Sequence, residues 1–293
     1  MSNQNNPLVS VIIPCYNHED FVKEAIQSVI DQDYQNIELI IIDDGSKDTS
    51  VQKIEEMREA CESRFSRFEF RHRPNKGLCA TLNEGLDWVQ GEFLCSVASD
   101  DIWVANKVMI QVEYLTKTPT CAGVFGGVTL IDENSIPQRT ILKKYKKYNF
   151  NDIFLHNHNL PTPTNMCRTH AIKQHMYDER FKIEDWYMWL KLTENGSTLD
   201  YLSVVLALYR RHSDNLSSQH AIMVEELKKI TDLYKVNFLH KQAESRVFVV
   251  GADISASSSK KEAFIYLRKA YQAYPKILFD KSFAKCIIKI LIK

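Results

Sequence analysis

Residues 9–14 (VSVIIP) make a short apolar, β-branched run ended by Pro14, the pattern of a buried strand. From about Glu19 to Gln32, apolar Phe21, Val22, Ala25, Ile26, Val29 and Ile30 return at helical spacing and share one face. A second apolar run, Ile37 to Ile42, stops at Asp43-Asp44-Gly45-Ser46 and predicts a second strand. A helix over about 49–61, a strand over 68–73, a helix over 80–89 and a strand over 92–98 follow. Strands alternating with helices predict an α/β fold on a parallel sheet with helices on both faces.

Beyond residue 120 the periodicity is less regular. Val124–Ile131 and Thr198–Tyr209 read as strands, and the basic run Lys143–Tyr148 as a solvated loop. The segment from Ile183, with Trp186, Trp189, Leu190 and Leu192, reads as a helix. After Ser217 the pattern is helical apart from Ser255–Ser259, where Ser259 and Glu262 match a capping box. The chain therefore divides near residue 216, into an α/β domain over 1–216 and a helical region over 217–293.

With 293 residues, 44% of them hydrophobic and 25% charged, the chain has the make-up of a globular protein with a sizeable core. Lys and Arg balance Asp and Glu at 37 each, so net charge gives no reason to expect a nucleic-acid partner. The seven cysteines (15, 61, 79, 95, 121, 167, 286) include no Cys-x-x-Cys pair, which argues for free thiols rather than a zinc or redox site. The opening MSNQNNP lacks the basic-then-apolar pattern of a signal peptide, and no apolar run is long enough to span a bilayer. The expected location is the cytoplasm.

In open parallel sheets, ligands bind outside the carboxyl ends of the strands, where the strand order reverses. Three such ends carry polar groups here: Pro14-Cys15-Tyr16-Asn17, Asp43-Asp44 and Ser99-Asp100-Asp101. Carboxylates at that place suit Mg²⁺ or Mn²⁺, which neutralises a diphosphate, and a tyrosine suits stacking on a base. Taken alone, Asp43, Asp44 and Ser46 are better explained as turn and helix-cap residues. The adjacent carboxylates of Asp100 and Asp101 repel one another and call for a cation. No Gly-x-Gly-x-x-Gly follows the first strand, which argues against a dinucleotide-binding oxidoreductase. Two alternatives stand beside the transfer reading developed next. One is a sugar nucleotidyltransferase, whose Gly-rich basic loop PCYNHED does not supply; the other is a non-catalytic binding module of the same fold.

The stretches VSVIIPCYNHEDFVKEAIQSVIDQDYQNIELIIIDDGSKDTS and NKGLCATLNEGLDWVQGEFLCSVASDDIW resemble the opening of the large inverting family-2 glycosyltransferases, which have the GT-A fold. The likeness runs almost continuously through 8–108. It resumes at Glu184–Leu190, and again at Tyr209–His212 with Asn215 and Ser217. It implies inverting, metal-dependent transfer of a hexose or N-acetylhexosamine from a nucleotide sugar, with UDP the expected nucleotide. The implied acceptor is a saccharide on a lipid carrier, in the synthesis of a polysaccharide such as O-antigen. By the same resemblance, Pro14, Tyr16, Asn17, Asp43, Asp44, Asn83 and Asp100 would surround the donor nucleotide. Tyr16 would lie on the base and Asp44 would accept its N3–H. Asp101, Asp100 and His212 would hold Mn²⁺ or Mg²⁺, and Arg210 or Arg211 would neutralise the diphosphate. Asp185 would be the general base, with Glu184 and Trp186 on the acceptor side. The family's metal motif is often Asp-x-Asp, and Ser99 leaves only the adjacent pair. In such a displacement one carboxylate takes the acceptor hydroxyl's proton as its oxygen attacks C1, unlike the two carboxylates of hydrolases.

From Lys260 to Lys293 nine Lys or Arg face two acids, Glu262 and Asp280. Lysines 281, 285, 289 and 293 recur every fourth residue, among Phe283, Ile287, Ile288, Ile290 and Leu291. Two readings fit. Residues 281–293 are a basic amphipathic helix for an anionic membrane surface, or a helix packed on the protein with its lysines in solvent.

Overall fold

A computed structural model describes residues 6–211, 220–256 and 258–292. The chain forms two compact units, the first comprising Met1–Asn149, Asn159–Glu179 and Lys191–His212, the second Phe150–His158, Arg180–Leu190 and Ser213–Lys293.

The first unit is built on one sheet. Its strands are β1 (Val9–Cys15), β2 (Ile37–Asp43), β3 (Arg67–His72), β4 (Phe93–Ser96), β5 (Ile102–Trp103), β6 (Cys121–Ile131), β7 (Pro137–Ile141), β8 (Lys146–Tyr148), β9 (Met166–Arg168) and β10 (Thr198–Arg210). The order is β3-β2-β1-β4-β9-β6-β10-β5, with β7 on β6 and β8 on β10. The first four of these neighbours are parallel, as are β6 and β10, while β9 runs antiparallel between β4 and β6. β1 and β2 are buried along nearly their whole length, which is why their sequences are apolar without alternation.

Successive β1 residues point to opposite faces. Val11 and Ile13 join Val22, Ile26 and Val29 of the helix Val22–Ile30 in one core. Ile12 points the other way, onto Gly85 of the helix Leu78–Trp88. A Cβ at Gly85 would lie 2.7 Å from the Ile12 side chain, so helix and strand approach this closely only with glycine there. The register pairs Cys15 with Asp43 and Ile12 with Ser96, so β1, β2 and β4 release the chain at the same end. After β3 the chain returns to the far side of β1, and the strand order reverses between β1 and β4.

Some local expectations change. The helix expected over 49–61 is two helices, Ser50–Glu55 and Arg58–Arg64. The expected loop at Lys143–Tyr148 contains strand β8, paired with residues 199–201 of β10. Its two lysines are exposed and Tyr148 is buried, so the basic run conceals one inward side chain.

The second unit holds the helices His220–Asp232, His240–Ser255, Lys260–Ala273 and Lys281–Ile292. Val249, Ala252, Ala263, Leu267, Ala270, Ile277, Phe283, Cys286 and Ile290 form its core. Ser259 Oγ accepts the Glu262 N–H at 3.2 Å, the expected N-cap. Two earlier segments join this unit through non-local contacts. Phe150 and Phe154 pack on Tyr234 with ring centroids at 5.4 and 5.3 Å. Trp186 Nε1 donates to the Ile153 carbonyl at 3.1 Å, and the Lys182 N–H to Glu226 at 2.9 Å. Periodicity along the chain assigns both segments to the 1–216 domain, and the expected boundary itself lies outside the described residues. The seven cysteines are buried free thiols. No described helix is long and apolar enough to cross a membrane.

Candidate functional site

The loops after β1 and β2 are laced together. Asn17, at φ 53°, donates its N–H to Ser46 Oγ at 2.8 Å, and its Oδ1 accepts the Lys47 N–H at 2.7 Å. Glu19 N–H donates to Asp48 at 3.0 Å. Asp43 is fully buried and organises the turn: it accepts from the Gly45 and Ser46 N–H groups, from Ser46 Oγ and from His72 Nδ1. Gly45 sits at φ +80°, where a Cβ would also meet Asn75 N at 2.7 Å. Asp43 is therefore a turn residue. Tyr16 is 46% exposed at the mouth of this loop pair. Burial pushes the Cys15 thiol up to about 12, which leaves it neutral and no nucleophile.

Asp44 closes a second ring of contacts. Its Oδ1 accepts from Arg73 and from the Lys76 N–H at 2.8 Å, and its Oδ2 from the Gly77 N–H at 2.9 Å. A carboxylate offers about four acceptor positions, so one remains on Oδ2. Arg73 also donates to Glu84 and Thr81. Arg73 is the last residue of the strand expected over 68–73, and nothing in its sequence setting marks it as a site residue. Asn83 uses both ends of its amide on Tyr177, donating to the carbonyl and accepting the N–H, each at 2.8 Å. That side chain ties a helix to a loop.

The acidic pair follows β4. Asp100 and Asp101 are both buried, and Ser99 Oγ lies 2.7 Å from His18 Nδ1, joining this loop to the one after β1. Asp101 Oδ1 accepts the Arg210 N–H at 2.9 Å. The Arg210 guanidinium has no exposed surface. Its Nε donates to the Asp100 carbonyl at 2.7 Å and its Nη1 to the carbonyls of Asp132 and Glu133 and to Ser135 Oγ. Its Nη2 donates to Glu24 at 2.6 Å, and Phe21 lies under the group at 4.6 Å. Arg210 therefore braces the acidic loop from behind, whereas Arg211 is exposed with its guanidinium over Tyr209. Burial and the charge of Asp100 hold the Asp101 carboxyl well above the usual carboxylate range, against the opposing pull of Arg210 and Arg211. Two adjacent buried carboxylates supply hard oxygen donors that fit a divalent cation, which would need further ligands from phosphate and water. Among the described residues no group of three or more His, Cys, Asp or Glu is arranged around a metal position, and His212 lies outside them.

Glu184 and Asp185 open the helix Glu184–Thr193, with Asp185 Oδ1 accepting the Trp186 N–H at 2.6 Å. Burial first, and then the Asp185 charge, push Glu184 up to about 8. Trp186 is buried and stacks on His156 with ring centroids 4.3 Å apart.

Residues 10–176 match the family described as glycosyl transferase family 2. The chain belongs to glycosyl transferase family 2. Among family relatives it is 29% identical over 227 residues to the E. coli protein WfgD, named a UDP-Glc:alpha-D-GlcNAc-diphosphoundecaprenol beta-1,3-glucosyltransferase. That alignment covers 77% of this chain and 85% of WfgD. It is 37% identical over 136 residues, 46% of its length, to an uncharacterized glycosyltransferase of Rickettsia felis, and spans 22% of that relative's length. S. aureus TarS, solved with UDP-GlcNAc, superposes with a TM-score of 0.65 at 18% identity, covering 97% of this chain and 89% of that one. A Pyrobaculum calidifontis mannosyltransferase solved with GDP-Man and Mn²⁺ gives 0.63 at 13% identity, covering 98% and 87%. The family-2 chain thus has the GT-A fold, a curled α/β sheet flanked by helices, as its resemblance implied.

Proposed function

We propose that this chain is an inverting glycosyltransferase that moves a hexose or N-acetylhexosamine from a nucleotide sugar, a UDP-sugar in the first instance, to a saccharide acceptor. The observation that carries this reading is the buried Asp100–Asp101 pair at the strand-order switch, beside the exposed Tyr16 and the loop held by Asp44. The nucleotide sugars named with the two structural neighbours, and the Mn²⁺ named with one, support it.

In this reading Tyr16 lies on the base and the remaining acceptor position on Asp44 takes the base N–H, while Pro14, Asn17 and Asp43 hold the loop in shape. Asp100 and Asp101 would hold Mn²⁺ or Mg²⁺, with His212 as a further ligand, and the bound ion would supply charge neutralisation for the departing diphosphate. Arg211 adds cationic charge on that side, and Arg210 keeps the acidic loop in place. Asp185 takes the acceptor hydroxyl's proton as the oxygen attacks C1 from the face opposite the leaving group. The acceptor is a saccharide on a lipid carrier in polysaccharide synthesis. The diphosphoundecaprenol acceptor in the name of WfgD supports that class, and peripheral membrane association goes with it.

The test is a transfer assay with UDP-glucose, UDP-galactose, their N-acetylated forms and dTDP-rhamnose on a lipid-linked saccharide, with the product's anomeric configuration read by NMR. A β-linked product from an α-linked donor, lost in Asp185→Asn, is expected. A retained α-configuration, or full transfer by Asp185→Asn, overturns the mechanism.

A further inference from the structure

The helix Lys281–Ile292 carries apolar side chains on two sides. Phe283, Cys286 and Ile290 point into the second unit's core. On a helical projection Lys281, Ala284, Lys285, Ile288, Leu291 and Ile292 fall on the opposite side, and the last three are 54%, 68% and 80% exposed. The turn before it, Pro275–Phe279, leaves Leu278 and Phe279 exposed, the latter by 90%. Packing on its own unit needs only lysines on that outer side, and the exposed apolar side chains among them go beyond that need.

The charges among these exposed apolar side chains have one sign. Lys276, Lys281 and Lys285 are exposed, and Asp280 is the single acid between residues 274 and 292. Asp280 is turned to other work: it accepts from Arg246 at 2.5 Å and from the Ser282 and Phe283 N–H groups. Apolar side chains interspersed with lysines suit a surface that is anionic at the level of the ammonium groups and apolar just beneath. A second copy of this side of the helix would bring like charges together.

We propose that Leu278, Phe279, Ile288, Leu291 and Ile292 insert into the interface of an anionic lipid bilayer, with Lys276, Lys281 and Lys285 on its headgroups. The proposal names the surface for the membrane association suggested above. It rests on that reading only for its biological setting, because binding is measured without donor or acceptor.

The experiment is co-sedimentation of the full chain with phosphatidylglycerol-containing vesicles and with pure phosphatidylcholine vesicles. Binding to the anionic vesicles, weakened by salt and absent from the neutral ones, is expected. Lys281→Gln with Lys285→Gln lowers the partition coefficient by about thirtyfold. Phe279→Ser with Ile288→Ser lowers it by about tenfold or more, with circular dichroism unchanged. Equal partition of wild type and both variants overturns the proposal. So does a concentration-dependent dimer in light scattering that the apolar variant abolishes while vesicles capture nothing. Failure here with transfer activity intact leaves the enzymatic reading standing, and the reverse result separates the two equally well.

Discussion

Arg210→Met isolates what the buried guanidinium does for the acidic loop. The substitution keeps the backbone N–H that Asp101 accepts and much of the side-chain volume. It removes the bonds to Asp100, Asp132, Glu133, Ser135 and Glu24. The Glu24 side chain is 48% exposed and residues 133–135 lie at the surface, so these partners turn to water at small cost. The Asp100 carbonyl belongs to a buried residue, and leaving such an acceptor unmatched costs about 1–3 kcal/mol. Loss of the cation over Phe21 adds about 0.5–2 kcal/mol. The expected loss is therefore about 1.5–5 kcal/mol, or about 3–20 °C in the melting of the first unit. Loosening the Asp100 carbonyl also shifts both carboxylates, so Mn²⁺-dependent binding of a nucleotide sugar weakens by about tenfold or more. Arg210→Lys keeps the charge but not the planar fork, and falls between. Calorimetric melting and donor titration give the two readouts. Unchanged melting together with unchanged donor affinity would refute the bracing role.

Three further substitutions probe other polar groups. Glu38 is fully buried and accepts from Ser10 Oγ, the Gln90 and Gly91 N–H groups and Arg67. Glu38→Gln puts a donor where an acceptor is needed and lowers stability in urea by about 1–3 kcal/mol, with donor affinity unchanged. Asn83→Leu removes both bonds to Tyr177 and costs a similar amount, about 1–3 kcal/mol. Lost donor affinity at unchanged stability would instead place Asn83 against the nucleotide, as its family resemblance implies. Glu184 keeps its proton in the folded state up to about 8, whereas its ordinary value is 4.5. The folded form therefore binds more protons in that window, and stability falls as pH rises through it. Glu184→Gln flattens the fall; identical pH–stability curves for the two proteins would count against the buried-acid reading.

The parallel heart of the sheet was legible because its signal is local. β1 and β2 are buried on both faces, so their apolar runs cannot be read as anything exposed, and the polar residues just beyond them mark the ligand end. What depends on distant partners was not legible. Which of the adjacent Arg210 and Arg211 turns inward depends on the pairing of β10 with β6 and on a turn near Asp132. Neither feature leaves a mark in the string Tyr-Arg-Arg-His. Asp44 reads equally well as a turn residue until Arg73 and the Gly77 N–H are seen on its oxygens. The segments around Phe154 and Trp186 follow Tyr234 and Glu226 into the helical unit through contacts that periodicity cannot register. β8 was hidden because two of its three residues are exposed lysines.

Isothermal titration of UDP-sugars into the wild type and Asp101→Asn measures whether a nucleotide sugar is held through a cation on Asp100 and Asp101. The wild type is expected to bind in the presence of Mn²⁺ and to lose binding on chelation. Asp101→Asn is expected to lose binding while its melting shows that the fold is retained. Equal affinity in both proteins with Mn²⁺ absent, or binding of no nucleotide sugar at all, would contradict this mode of binding.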